Sequence, residues 1–488
     1  MKRFRPILCA AQTIVALFFF HPDCQALTTF GAHGELQLSG KLETRLTLST
    51  EDREGYTSPK VDAGSMLQHR NLAYVELKHM LSENLNYRLV GRGLYEGVYE
   101  YGPDEYRQVR DANPDVIDDF SRDADLWEGY ADITFDRMYW RLGKQIVSWG
   151  ETDLFPMLDR INPLDNTYGG MFEDLDDRRM PLWMIKGIYN LGGVGPVQSL
   201  SLEGFYNPGI IDQTVSPLAP AGTPYAFPAP DSSIGTREIG PEDSIHDSRW
   251  GFRLQGVIAD NYNFSLAHYQ TFLDTPAVRL AFDPGMIPVQ ELVYEKVQIT
   301  GGSLSFFEPY TESVFRMEVA YHWDEPVFIP EVNLDATTAL VNGHADIPVS
   351  DVLRFAIAID KNFWIRALNK TSMFNFTLQY FGEKIMDYDD RMRQAAAVYP
   401  TGDFAEIGEY EERWVFVCYT SYMNGKLTPQ LSAAYDPAGA YLILPEISYT
   451  LEPWRIGLQA AFVGGDEDVS FGFLRDRDQV SLMLTLVF

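Results

Sequence analysis

The dominant pattern along the chain is an alternation of apolar and polar residues with a period of two. A clear run lies between residues 374 and 380, where Phe374, Phe376, Leu378 and Tyr380 alternate with Asn375, Thr377 and Gln379. Successive side chains of a β-strand point to opposite faces, so each such run predicts a strand with one apolar and one polar face. The apolar face persists over about nine to eleven residues, which is the length of a tilted strand that spans a bilayer.

Two further features favour a transmembrane barrel over a water-soluble β-sandwich, which would show the same alternation. Aromatic residues cluster near the ends of the predicted strands, as in the interfacial girdles of membrane barrels. They are Tyr74, Trp127, Tyr139, Trp140, Trp183, Tyr189, Tyr262, Trp323, Trp414 and Trp454. The links between strands also mostly alternate in length, short then long, as in bacterial barrels with short periplasmic turns and long extracellular loops. The predicted fold class is therefore all-β, a transmembrane antiparallel β-barrel.

The alternating runs predict about 18 strands, an even count that leaves both termini in the periplasm. They span 34–49, 69–81, 84–97, 124–136, 138–148, 182–191, 197–207, 248–259, 262–273, 295–306, 312–324, 351–360, 373–384, 411–422, 426–436, 440–451, 454–464 and 478–488. The long links, assigned to the outer side, are 50–68, 98–123, 149–181, 208–247, 274–294, 325–350, 385–410 and 465–477. Two links break the rule: 361–372 is a long periplasmic link and 437–439 a short outer one. A count of about 16 strands therefore stays open.

The first 26 residues have the organisation of a cleavable signal peptide. Basic residues precede an apolar stretch, 7–20, and small residues precede a cleavage position after Ala26. That stretch is too short to cross about 30 Å of hydrocarbon as a helix, so an anchor is disfavoured. The chain is therefore expected to be exported, with residues 27–488 forming one barrel in the cell outer membrane of a Gram-negative bacterium.

The other end of the chain carries an assembly signal. Leu482, Leu484, Leu486 and the terminal Phe488 alternate with other residues in a final strand. A terminal aromatic on such a strand resembles the signature that the outer-membrane barrel-assembly machinery recognises. We therefore expect this machinery to be a partner of the chain, through Phe488.

Composition limits the remaining partners. The formal net charge is −30 at pH 7, which argues against nucleic acid, because phosphate contacts need a basic face. Of the 3 cysteines, Cys9 and Cys24 lie in the leader, so Cys418 is left alone without a disulfide or a cysteine metal site. Acidic loops lack the ligand spacing of a calcium loop, so neither a metal nor a cofactor is expected. The expected surroundings are outer-membrane lipid and lipopolysaccharide.

A barrel of this size leaves an aqueous lumen, so the residues that line it matter most. Six arginines lie in phase with the polar faces of their strands: Arg88, Arg92, Arg249, Arg253, Arg316 and Arg354. They allow two interpretations. In one, they form a basic wall opposite an acidic partner and set up a field across the pore that orients polar solutes. In the other, the charges of the interior simply pair with each other.

The acidic partner in the first interpretation is the third long loop, 149–181. Its charged residues are the candidates for a pore constriction: Glu151, Asp153, Arg160, Asp165, Asp174, Asp176, Asp177, Arg178 and Arg179. In general porins the loop at this ordinal position, after the fifth strand, folds into the barrel. We therefore expect 149–181 to fold inward and narrow the lumen.

The most distinctive sequence motif of the chain begins in the preceding strand and continues into this loop. Its motif residues are Gly143, Lys144, Gln145, Trp149, Gly150, Asn162 and Pro163. This stretch resembles domain-of-unknown-function family 1302, a family of proteobacterial outer-membrane barrels with a Gly-Arg-Gln and Trp-Gly-Glu stretch followed by Ile-Asn-Pro. Here Lys144 replaces the family's arginine, which keeps the charge but loses the planar fork. The resemblance implies a porin-like barrel involved in transport, including transport of hydrophobic or lipid-like compounds.

The motif itself is interpreted mainly as a structural anchor of the loop, with direct solute contact as the alternative. Gly150 permits a bend into the lumen that a bulky residue would resist. Glu151 is then placed to pair with Arg160 or Lys144. Simple alternation from Trp140 would turn Lys144 toward lipid, unless a bulge or a rim position reverses it.

The chain contains no HExxH, GxSxG or Walker pattern, and its histidines lie in no recognisable motif, so no catalytic residue and no enzymatic activity are expected. The leading interpretation is a channel for small solutes, hydrophobic or lipid-like compounds included, with a lumen narrowed by 149–181. The alternative is a structural or adhesive barrel that does not conduct, with acidic outer loops that bind partners. The sequence does not name the solute.

Overall fold

The computed structural model of the protein describes residues 28–30, 36–53, 59–226, 234–398, 404–466 and 469–488. Eighteen strands form one closed antiparallel barrel. The predicted signal peptide, 1–26, lies outside the described residues and stays a prediction. The predicted fold and the count of 18 strands are confirmed.

The barrel strands are β1 (Leu36–Ser49), β2 (Met66–Ser82), β3 (Leu85–Glu96), β4 (Arg122–Phe135), β5 (Met138–Gln145), β6 (Leu182–Val194), β7 (Val197–Asn207), β8 (Arg249–Ile258), β9 (Tyr262–Phe272), β10 (Lys296–Glu308), β11 (Ser313–Pro326), β12 (Val349–Phe363), β13 (Phe374–Ile385), β14 (Tyr410–Tyr419), β15 (Leu427–Asp436), β16 (Ala440–Leu451), β17 (Trp454–Gly465) and β18 (Gln479–Val487). Each strand pairs with its sequence neighbours, and β18 pairs with β1 from Lys41↔Val487 to Ser49↔Gln479. This closure leaves the barrel without an open edge, so the backbone groups of the wall are satisfied without water.

The wall has its apolar side chains on the outside. On β11, Met317 and Val319 are exposed, whereas Glu318 and His322 between and beyond them are buried in the interior. The same outward exposure of large apolar side chains recurs around the barrel: Leu142, Ile185, Leu202, Phe252, Leu266, Ile357, Leu378, Leu431, Ile443, Leu458 and Leu482. Such a surface is unfavourable in water and is the one that a barrel presents to hydrocarbon.

The links divide by length between the two ends of the barrel. At one end lie tight turns such as Asp136-Arg137 and Glu452-Pro453, and at the other end lie the long loops. The predicted link 361–372 is wrong at its start, because β12 continues to Phe363 in register with β13. The link that remains, 364–373, is held at the turn end by Asn369, whose Nδ2 donates to the carbonyl oxygen of Ser421 over 2.8 Å.

The long loops carry the rest of the secondary structure. Its helices are Val98–Tyr101, Asp104–Ala112, Pro114–Ser121, Leu175–Arg178, Pro330–Asn333 and Ala336–Asn342, with 3₁₀ turns at Gly170–Phe172, Ile245–Asp247 and Gly472–Leu474. Gly235–Ile239, Ala277–Phe282 and Pro288–Val293 form a small separate sheet, Arg393–Val398 pairs with Phe404–Glu406, and Thr28–Phe30 pairs with β1. Every helix in the described part of the chain is too short or too polar to span a bilayer.

Part of the hydrophobic core lies inside the barrel rather than between layers. Met157, Phe172, Tyr225, Phe471 and Leu474 come from three different long loops and are all buried. They pack against inward-facing apolar residues of the wall: Phe381, Val415, Ala434, Leu442, Ala461 and Val463. Segments of at least three loops therefore fold into the lumen, and this arrangement builds the candidate site.

Candidate functional site

The chain leaves the wall at the end of β5, three residues earlier than predicted. Gly143 has a φ of 134°, and a Cβ there would clash with the carbonyl oxygen of Gly129 on β4, so only glycine fits. This irregularity interrupts the alternation and lets Lys144 turn inward, where its Nζ lies 3.3 Å from Asp125. The sequence-based difficulty with the orientation of Lys144 is thereby resolved.

Asn162 ties the two ends of the inward segment together. Its Oδ1 accepts a hydrogen bond from the backbone N–H of Val147 over 2.8 Å, and its Nδ2 donates to the carbonyl oxygen of Met180 over 2.7 Å. The N–H of Met180 in turn donates to the carbonyl oxygen of Pro163 over 2.8 Å. Gln145, fully buried, donates to the carbonyl oxygen of Met184 over 2.9 Å. These motif residues therefore act as a clasp at the base of the segment.

The Trp149-Gly150 pair turns the chain across the lumen. The Trp149 side chain is 1% exposed, and its indole Nε1 donates to Glu203 on β7 over 3.1 Å. At Gly150 an added Cβ would lie 2.7 Å from the Cβ of Asp159, so the bend leaves no room for a side chain. The same Asp159 accepts from the backbone N–H of Trp149 over 3.1 Å.

The first half of the 149–181 segment is held by β9 and β11. Glu318 on β11 accepts hydrogen bonds from the backbone N–H groups of Glu151 over 2.8 Å and Leu158 over 2.5 Å. Tyr269 on β9 donates its hydroxyl to the carbonyl oxygen of Leu158 over 2.6 Å. The expected pairing of Glu151 with Arg160 or Lys144 is wrong. The Glu151 carboxylate instead accepts from Ser303 over 3.3 Å, because its backbone is already held against β11.

The second half of the segment reaches the opposite wall. The Glu173 carboxylate lies 3.1 Å from Arg45 on β1 and 2.7 Å from Arg70 on β2, and its side chain is 7% exposed. Burial alone would raise the pKa of Glu173, but the charges of Arg70 and Arg45 outweigh it and hold the pKa below its ordinary value. Strands β1 and β2 lie across the barrel from β11, so the 149–181 segment spans the lumen.

The other predicted constriction residues divide into two groups. Asp153 pairs with Arg316 on β11 over 3.1 Å, and Asp177 approaches Lys41 on β1 at 4.0 Å, so both extend to the wall. The other predicted residues form their side-chain contacts within the 149–181 segment. Arg160 donates to the carbonyl oxygen of Pro156, Asp165 accepts from Thr167, Asp174 precedes the short helix, Asp176 is paired with Arg179, Arg179 with Asp159, and Arg178 donates to Asn166.

The wall arginines are largely neutralised by carboxylates. Arg88 pairs with Glu76 and Glu128, Arg92 with Asp123, Arg253 with Glu203, Arg316 with Asp153 and Asp360, and Arg354 with Glu325 and Glu383. Arg249 is buried and donates to the carbonyl oxygen of Thr214 in the preceding loop. Trp127, expected in an interfacial girdle, is instead buried with the Arg92 guanidinium 3.7 Å from its ring centre.

Two further loops lie in the lumen, and their inward path was not predicted from the sequence. Residues 208–226 and 469–477 meet the 149–181 segment around a cavity of 250 Å³, which we call the loop cavity. Its lining includes the apolar side chains Phe155, Met171, Phe172, Tyr225, Phe471, Phe473 and Leu474, and the charged side chains Arg178, Arg413 and Arg477. Neither loop shows a period of two or a recognisable motif, so the only available signal was their content of apolar residues.

Solved structures with a similar fold include two bacterial proteins. Acinetobacter baumannii OccAB1 is 10% identical, with a TM-score of 0.48, covering 95% of this chain and 98% of that one. Pseudomonas aeruginosa OccK9 (OpdG) is 11% identical, with a TM-score of 0.47, covering 93% and 98%. No curated protein matches the chain. The model of a family described as "Protein of unknown function (DUF1302)" matches residues 13–488. Because this match extends over almost the whole sequence, the chain belongs to the DUF1302 family.

Proposed function

We propose that this chain is an outer-membrane channel that passes small solutes, hydrophobic or lipid-like compounds included, through a lumen narrowed by the 149–181 segment. The observation that carries the proposal is the path of this segment. It is held by Glu318 on one wall and by Arg45 and Arg70 on the opposite wall. A barrel used only for adhesion has no need for a segment held across its interior by buried hydrogen bonds and ion pairs.

The surroundings of the barrel follow from its two surfaces. The apolar outer surface suits outer-membrane lipid, and the acidic long loops suit the cation-bridged layer of lipopolysaccharide. Phe488 is 5% exposed. Its carbonyl oxygen accepts a hydrogen bond from the backbone N–H of Gly40 over 2.7 Å, and its own N–H donates to the carbonyl oxygen of Gly40 over 3.0 Å. These hydrogen bonds pair the end of the final strand with the first strand of the barrel, and we propose that the assembly machinery recognises this final strand. In this proposal the solute crosses without chemical change.

Single-channel recording in a planar bilayer under a salt gradient tests the proposal. The wild-type chain, refolded and verified by heat-shifted gel mobility, is expected to give stable current steps. Glu173→Gln weakens the two ion pairs that hold the far half of the segment, so its step size or ion preference is expected to change. Glu83→Gln, an exposed residue in a tight turn, is the matched control and is expected to behave as wild type.

Two results would contradict the proposal at different points. A silent membrane with a folded wild-type barrel would reject the channel and favour the structural or adhesive alternative. Steps that are identical for wild type and Glu173→Gln would leave the channel in place and reject the narrowing by 149–181.

A further inference from the structure

The loop cavity combines an apolar wall with an unusual excess of positive charge. Among the described residues its lining contains three arginines and no carboxylate, in a chain whose formal net charge is −30. One of the three, Arg413, pairs with Glu411 over 2.6 Å, so Arg178 and Arg477 carry the excess. Aromatic rings of Phe155, Phe172 and Phe471 form much of its apolar wall. Chance placement in so acidic a protein would give the opposite sign, so the local charge calls for a physical explanation.

Two of these arginines have only neutral hydrogen-bond partners among the described residues. Arg477 is 2% exposed and donates to the carbonyl oxygen of Ala226 over 2.8 Å. Arg178 is 8% exposed and donates to the amide oxygen of Asn166 over 3.0 Å. Burial lowers the pKa of Arg178, and the charge of Glu173, which Arg45 and Arg70 hold on the wall, offsets this only in part.

A further buried arginine, Arg53, lies close enough to Arg477 for its charge to affect the pKa of Arg477. Arg53 is 2% exposed and donates from Nη1 to the carbonyl oxygen of Pro224 over 3.0 Å, while its Nε and Nη2 are buried without a hydrogen-bond partner in the described part of the chain. Burial, followed by the like charge of Arg53, lowers the pKa of Arg477 to about 10. The neighbouring Asp476 raises that pKa only in part, so a bound anion would stabilise the buried guanidinium group further.

We propose that the loop cavity binds an amphiphile with an apolar ring or chain and a single carboxylate, held by Arg477 and Arg178. This inference rests on the proposed channel and names the class of its substrate. The aromatic side chains take the apolar body, and the guanidinium groups pair with the carboxylate. The cavity volume of 250 Å³ lies just under the usual range for small-ligand pockets, roughly 300–1,000 Å³, so a longer tail must extend beyond it.

Isothermal titration calorimetry on the refolded full chain in detergent tests the assignment with a matched pair of probes. 2-Naphthoate carries the rings and the carboxylate, and 2-naphthamide carries the same rings without charge. Wild type is expected to bind naphthoate at least tenfold more tightly than naphthamide. Arg477→Gln is expected to remove this preference, whereas Arg137→Gln, in a tight turn at the far end of the barrel, is expected to retain it.

The wild-type comparison needs no variant, so it decides the question even if Arg477→Gln does not fold. Equal binding of the two probes, or no binding of either, would overturn the proposal. A preference for naphthoate that survives both Arg477→Gln and Arg178→Gln would place the anion elsewhere and also overturn it. Current steps without naphthoate binding reject this inference alone, while naphthoate binding with a silent membrane rejects the channel alone.

Discussion

Asn162→Ala tests whether the motif acts as the clasp of the lumen segment. The substitution removes the hydrogen bonds to the backbone of Val147 and Met180, of 2.8 and 2.7 Å, at a site that is 3% exposed. A buried backbone group left without a partner costs about 1–3 kcal/mol. The two lost bonds therefore predict a loss of roughly 2–6 kcal/mol in the free energy of unfolding.

Urea unfolding of the barrel in detergent, followed by tryptophan fluorescence and by heat-shifted gel mobility, measures this loss. The matched control is Asn342→Ala, an exposed asparagine at the end of a loop helix, which is expected to change stability by less than about 0.5 kcal/mol. Single-channel recordings of Asn162→Ala are expected to show noisier steps, because the base of the segment is released. Stability and current both equal to wild type would refute the clasp.

Two further predictions concern the same segment. Gly143→Ala is expected to lower the yield of folded barrel on a heat-shift gel, because the φ of 134° and the carbonyl oxygen of Gly129 both exclude a Cβ, and a normal yield would contradict this. The pKa of Glu173 is held below 4.5, so its contribution to stability is complete above that pH and is lost as the pH falls through the folded pKa. The urea midpoint should therefore fall less between pH 6 and pH 3 in Glu173→Gln than in Glu83→Gln, and equal falls would contradict the assignment.

The strand pattern of this protein was accessible from the sequence because it is local. Extended backbone places alternate side chains on opposite faces, and a closed barrel in hydrocarbon turns the apolar face outward along every strand. The runs around 374–384 and 440–451 were therefore located within a residue or two of their observed bounds. Closure needed no separate signal, since an unpaired edge is untenable in the membrane.

The path of the loops depended on contacts that no local pattern encodes. The inward turn of 149–181 was predicted from the position of this loop and from its motif. The contact of Glu318 with Glu151, 167 residues away, and the pairing of Glu173 with Arg70 across 103 residues were not predicted. The predicted end of β5 was residue 148 rather than Gln145, because the close approach of Gly129 on the neighbouring strand to Gly143 has no local signal.

The amino-acid sequence by itself thus predicted the barrel, about 18 strands and the inward or outward side of most strand residues, since these follow from a period that each strand carries on its own. Lys144 and Trp127 are exceptions, because contacts with neighbouring strands set their orientation. Only the tertiary structure decided which interior charges form ion pairs and which form hydrogen bonds with neutral groups. Arg354 on the wall meets Glu325 and Glu383, whereas Arg477 in a loop meets a carbonyl oxygen. The difference is physical, because electrostatic pairing depends on distance in space, and the lumen brings together residues from loops and strands that are far apart in the chain.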